Sequence, residues 1–128
     1  MSEIRSLAIR AAEVLNKFKA KDIVVLDVAN ATVITEYMVI CTARTAQHVK
    51  SLCDDVEDKL AEEGVFARKK EGQTEGRWAI LDYGGVLVHV FHPEERQYYR
   101  LERLWDDGLN HVELTFTDDE EESKPFLS

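Results

Sequence analysis

Cysteine is scarce in this chain, with only Cys41 and Cys53 in 128 residues and neither CxxC nor metal-type spacing. Both fall inside apolar patterns, which predicts two reduced, buried thiols rather than a disulfide staple or a zinc centre. Long apolar runs are missing too, and a membrane-spanning helix needs roughly 20 such residues. The opening MSEIRSLAIRAAEVL alternates charged and apolar residues, as a mature helix does and a signal peptide does not. Positive charge is the minority sign: 16 Lys+Arg face 25 Asp+Glu, a net charge of −9. That argues against a general nucleic-acid binder, which needs concentrated positive charge. The cluster Arg68-Lys69-Lys70 reads as a solvated strand end. There is no phosphate-cradling loop, because Gly84-Gly85 leads into a strand rather than a helix N-terminus. Ser6 and Ser51 sit in helical patterns without a nucleophile elbow.

What is present describes one soluble domain. Hydrophobic residues make up 45% and charged residues 32%, enough apolar material for one self-sufficient core. Ile4, Leu7, Ala8, Ala11, Val14, Leu15 and Phe18 recur at helical spacing. DIVVLDV (Asp22–Val28) reads as a buried strand and YMVIC (Tyr37–Cys41) as a second one that could close a hairpin with it. Thr45 is placed to cap a helix whose apolar stripe is Val49, Leu52, Cys53, Val56 and Leu60, with Gly64 just past its end. Val65–Lys70 suggests an edge strand kept soluble by its cations. Pro93 opens a third helix, PEERQYYRLERLW, with Tyr98, Leu101, Leu104 and Trp105 spaced as one stripe. His111–Phe116 could add a short strand, and Asp118–Glu122 forms an acidic segment. The order is α-β-β-α-β-β-β-α: a single α/β domain over residues 1–105, with a mixed β-sheet packed against helices, followed by an acidic, flexible tail over 106–128.

The most informative stretch is Arg77–Phe91, RWAILDYGGVLVHVF. Gly84-Gly85 predicts a two-residue type I′ turn, since glycine tolerates φ > 0 at both central positions. Counting outward pairs Tyr83 with Val86, Asp82 with Leu87, Leu81 with Val88, Ile80 with His89, Ala79 with Val90 and Trp78 with Phe91. Alternation sorts these onto two faces. One carries Ala79, Leu81, Tyr83, Val86, Val88 and Val90 and has to be buried. The other mixes Trp78, Ile80, Leu87 and Phe91 with Asp82 and His89, and is either under a helix or waiting for a partner.

Catalytic geometry is hard to find. Asp22 and Asp27, five apart on a strand, point to opposite faces. Asp82 and His89 lie diagonally on one face, within reach of a hydrogen bond. As an acid–base couple they are conceivable, but a structural or interface role fits better. His89 and His92, three apart, point to opposite faces and break a metal-ligand set. Trp78 and Phe91 suit either sheet–helix packing or a partner-binding hot spot.

The blocks DIVVLDV, ITEYMVICTARTAQHV (Ile34–Val49) and EGRWAILDYGGVLVHVFHPEERQYYRLERLW (Glu75–Trp105) resemble the ribosomal silencing factor, or Iojap-like, family. The resemblance covers nearly everything from Ser6 to Trp105. Two departures stand out: Gly85 replaces the usual aspartate of the turn, and Thr35-Glu36-Tyr37 replaces TDY. The resemblance implies a nucleotidyltransferase-like fold without that fold's Gly-Ser turn and paired carboxylates. It also implies a cytoplasmic, typically homodimeric non-enzyme without cofactors. Such proteins bind the large ribosomal subunit at its joining face, through the ribosomal protein numbered fourteen, and block joining of the small subunit to repress translation in nutrient limitation. Trp78, Ile80, Asp82, Leu87, His89 and Phe91 are the expected partner-binding residues. A nucleotide- or metal-binding enzyme of the same fold is the alternative.

Overall fold

The computed structural model describes residues 3 to 116. The elements run α1 (Glu3–Lys17), β1 (Lys21–Asp27), β2 (Tyr37–Thr42), α2 (Ala46–Ala61), β3 (Lys69–Glu71), β4 (Trp78–Asp82), β5 (Val86–Phe91), α3 (Pro93–Tyr99) and α4 (Glu102–Trp105). The five strands form one mixed sheet in the order β1-β2-β5-β4-β3. β1 and β2 are antiparallel, β2 and β5 are parallel, and β4 pairs antiparallel with both β5 and β3. The expected element order holds, with α4 added at the end.

The two long helices lie on one face because their apolar stripes match its aliphatic rows. Leu7, Ala8, Ala11 and Leu15 of α1, together with Val49, Leu52, Cys53, Val56 and Leu60 of α2, close over Val39, Ala79, Leu81, Val86, Val88 and Val90. The cap of α2 is as expected: Thr45 Oγ1 accepts from the His48 N–H at 3.0 Å. At its other end Gly64 adopts φ 81°, and the Val65 N–H reaches back to the Leu60 carbonyl at 3.0 Å. Both cysteines are free and buried on this side. Burial pushes the Cys41 thiol far up and the Cys53 thiol to about 12, so neither forms a nucleophilic thiolate near neutrality.

Four sequence expectations need correction. The glycine turn is not type I′: of its two glycines Gly84 alone has positive φ, at 89°, whereas type I′ needs it at both. At Gly85 a Cβ would stand 2.7 Å from the Ile4 Cγ2 of α1, so any side chain there requires Ile4 to shift. The edge strand is confined to Lys69–Glu71, since Val65 and Ala67 fold back onto the core. The third helix does not run to Trp105. Arg100 takes the left-handed conformation (φ 48°) and splits it into α3 and α4, so the expected stripe divides: Leu101 and Trp105 pack inward while Tyr98 and Leu104 are exposed.

The fourth concerns the segment after Trp105, whose first part is packed. Val112 donates its N–H to the Val25 carbonyl at 2.8 Å, and Asn110 Nδ2 donates to the carbonyls of Asp27 and Trp105. Val112 joins the main core, with Leu114 and Phe116 against it, although a single bridge, Leu26 to His111, stands where a strand was expected. Asp118–Glu122 lies outside the described residues.

Candidate functional site

The glycine-turn hairpin has the register counted from the sequence, with Trp78 opposite Phe91, Ile80 opposite His89 and Asp82 opposite Leu87. Its mixed face therefore lies on the side of the sheet away from α1 and α2. There a smaller apolar cluster forms from Leu26, Val28, Met38, Ile40 and Phe91, with Trp78, Leu87, Leu101 and Trp105 packed on it. The elements over this face are two short helices, of seven and four residues. They are too short to cover what the 15- and 16-residue helices cover opposite.

The six expected partner-binding residues share this face, but at two depths. Phe91 and His89 are buried, while Trp78, Ile80, Asp82 and Leu87 are half-buried. Trp78 lies at the centre of an aromatic stack. Its ring is 4.8 Å from Phe91 below and 4.9 Å from Tyr99 above, and Tyr98 meets Tyr99 edge-on. Tyr98 is 80% exposed and Tyr99 51%. The two tyrosines extend the face onto α3, and sequence reasoning did not bring them to it. Tyr98 was assigned to a core stripe, and the signal against that, the break at Arg100, carries neither glycine nor proline.

His89 does not pair with Asp82. The Trp78 Nε1–H donates to His89 Nδ1 at 3.2 Å. An indole nitrogen can only donate, so Nδ1 is unprotonated and the proton of the neutral ring sits on Nε2. Nε2 is buried without a partner. Burial lowers the imidazole to about 4, so it is neutral near pH 7 and a weak proton acceptor there. Asp82 serves the turn instead, its Oδ1 accepting from the Gly84 N–H at 2.8 Å.

The described residues offer a single group with metal-like composition: His92, Glu94 and Glu95, whose ligand atoms lie within 4.8 Å of one another. The Arg77 guanidinium stands in the middle of it, with Nη2 2.9 Å from Glu94 and 2.8 Å from Glu95. His92 Nδ1 is occupied as the cap of α3, accepting from the Glu94 N–H at 3.3 Å. With its negative charge answered by Arg77, the cluster works as a fastener between the start of β4 and α3.

Comparison with known proteins identifies the family that carries this face. The family model described as "Ribosomal silencing factor during starvation" matches residues 1–126. The chain belongs to the ribosomal silencing factor family. It is 38% identical over 108 residues to the ribosomal silencing factor RsfS of Bacillus subtilis, covering 84% of this chain and 91% of that protein. It is also 31% identical over 116 residues to the chloroplastic protein Iojap of Zea mays, covering 90% of this chain and half of the maize protein. A crystal structure from Chromobacterium violaceum matches with a TM-score of 0.74 at 34% identity, covering 94% of this chain and 99% of that one. The mixed five-stranded sheet is thus shared with relatives in the silencing factor family.

Proposed function

We propose that this silencing factor docks on the large ribosomal subunit at its joining face, through the ribosomal protein numbered fourteen. Occupying that surface blocks association with the small subunit and represses translation when nutrients are scarce. The observation that carries this reading is the half-covered aromatic face. Trp78 is the anchor, with Ile80, Leu87 and Asp82 beside it, Tyr98 and Tyr99 at its rim, and Phe91 and His89 supporting it from beneath. Aromatic anchors in a partly desolvated patch are typical of interface hot spots, and an apolar patch rimmed by polar groups marks a binding surface. The net charge of −9 suits a basic ribosomal protein and disfavours indiscriminate contact with RNA. In this reading the protein is a cytoplasmic homodimer when free, and it is not an enzyme.

Sedimentation is the direct test. The purified protein is expected to travel with large subunits and, added before small subunits, to lower the yield of joined ribosomes. Sedimentation with small subunits alone overturns the reading. A second reading, a nucleotide- or metal-binding enzyme, is favoured only by the His92, Glu94 and Glu95 group, where Arg77 already supplies the counter-charge. A rise in melting temperature with nucleotides or divalent metals would support it.

A further inference from the structure

The parallel strands β2 and β5 end side by side at the Thr42–Phe91 pair, and the chain leaves a cavity of about 660 Å³ at that end of the sheet. Asp22 and Thr42 form its sheet wall, and Arg96, Gln97, Arg100 and Arg103 the helical wall. Open α/β sheets characteristically bind ligands in the crevice at the carboxyl ends of parallel strands. In a chain with an excess of nine acids, three arginines against Asp22 and Glu102 make a local reversal of sign.

The arginines differ in their commitments. Arg96, with its side chain 12% exposed, is a fixed part of the wall. Its Nη1–H donates to Thr42 Oγ1 at 2.8 Å, and Nε and Nη2 hold Glu102 Oε2 at 2.8 and 2.6 Å. The Arg103 guanidinium has no hydrogen bond or ion pair among the described residues, and that of Arg100 has only the Nε–H contact to the Gln97 carbonyl at 3.3 Å. Asp22 and Arg100 are also two of the three non-glycine residues with positive φ among the described residues, at 51° and 48°. Backbone strain of this sort gathers at functional sites.

We propose that this cavity binds a phosphate monoester carried on a hydroxylated carbon frame, a sugar phosphate by chemical class. Guanidinium forks match phosphate oxygens in geometry and charge, while the Asp22 carboxylate and the Gln97 amide are suited to hydroxyl groups. The volume is that of a small-molecule site. None of its lining residues is aromatic, so the ring platforms on which single-stranded bases usually stack are missing, and this weighs against a nucleic-acid strand. The site is separate from the Trp78 face and does not depend on its role.

Calorimetric titration of the full chain at low salt, with ribose 5-phosphate as the probe, tests the proposal. Inorganic phosphate, ribose and a short oligouridylate serve as comparisons. Saturable binding of ribose 5-phosphate is expected, tighter than inorganic phosphate, with ribose alone showing none. Arg103→Gln, and Arg100→Asn (which tolerates the left-handed backbone), should each weaken it about tenfold, the loss of one charge-assisted hydrogen bond. Their melting temperatures should match the parent's. Failure of ribose 5-phosphate to bind, or binding that both variants leave unchanged, overturns the proposal. So does tighter binding of the oligouridylate, which would make the cavity a contact for an RNA strand.

Discussion

The two faces of the sheet are built from the same strands and solve different problems. The inner face is mainly aliphatic, its residues sealed under two long helices, with Tyr37 and Tyr83 among them and the Tyr83 hydroxyl buried without a partner. The outer face carries aromatic rings, an imidazole and a carboxylate under two short helices that bury no residue of their own completely. Burial of a continuous aliphatic surface yields stability without specificity. A stack of rings left partly in water is a poor way to stabilise a fold and a good way to recognise a partner. The inner face holds the domain together, and in the proposed function the outer face is the one that meets the partner.

The largest expected effect tests whether the outer face also has a core. Phe91 is fully buried and stacked on Trp78, so Phe91→Ala should cost about 3–5 kcal/mol in denaturant unfolding. A loss below about 1 kcal/mol would mean that the outer cluster contributes little and that the inner face alone carries the fold.

His89 gives the next effect. Its folded value of about 4 lies below the ordinary 6.5, so the native state resists protonation while the unfolded chain accepts it. The associated stability is present above pH 6.5 and is lost as pH falls from there towards 4. It reaches up to about 3 kcal/mol at ~1.4 kcal/mol per unit. Unfolding free energies of the parent and His89→Gln, measured from pH 7 to 4, should converge as the pH drops. Parallel curves would show that His89 stays protonatable in the fold.

Opposed substitutions on paired strands test the division of labour itself. Val88→Ala should weaken the fold by roughly 1–3 kcal/mol and leave large-subunit affinity unchanged once the folded fraction is allowed for. Trp78→Ala should cost ~2 kcal/mol or more in affinity and a smaller amount of stability, from the lost stacking and the freed His89 nitrogen. If Trp78→Ala unfolds the domain while leaving affinity intact, the outer face is structural and docking lies elsewhere.

The inner face was far more legible in sequence than the outer one, for physical reasons. Period and capping are local signals, so α1, the stripe of α2, the Thr45 cap and the hairpin register could be counted residue by residue. The sorting of Trp78, Ile80, Asp82, Leu87, His89 and Phe91 onto one face followed from the same count. Their depths did not, because depth depends on where Leu101 and Trp105 land, and that depends on Arg100. An arginine in the left-handed conformation carries no local mark and is held there by tertiary contacts such as Arg96 with Glu102 and Thr42. The parallel pairing of β2 with β5 and the anchoring of Asn110 on Asp27 and Trp105 are likewise long-range facts. The Asp82–His89 pairing failed because the count gave proximity and the Trp78 indole offered the better-placed donor.

The smallest effects compare the caps of the helices over each face. Thr45 caps α2 through a hydroxyl, and α2 is bound along its length to the inner core. Thr45→Ala should therefore lower global stability by about 1 kcal/mol, as the loss of an N-cap does. His92 caps α3 through its ring, at the longer distance of 3.3 Å, and α3 has no fully buried residue. His92→Ala should leave the unfolding midpoint nearly unchanged and act locally. Amide hydrogens of α3 are expected to exchange faster while those of α2 and β5 keep their protection, because local opening draws on few contacts. Trp78 meets α3 through the Tyr99 ring, so its fluorescence should shift slightly as that ring is released. Equal loss of protection in α2 and α3 would show that the outer helices unfold only with the whole domain, and the two faces would then be one cooperative unit.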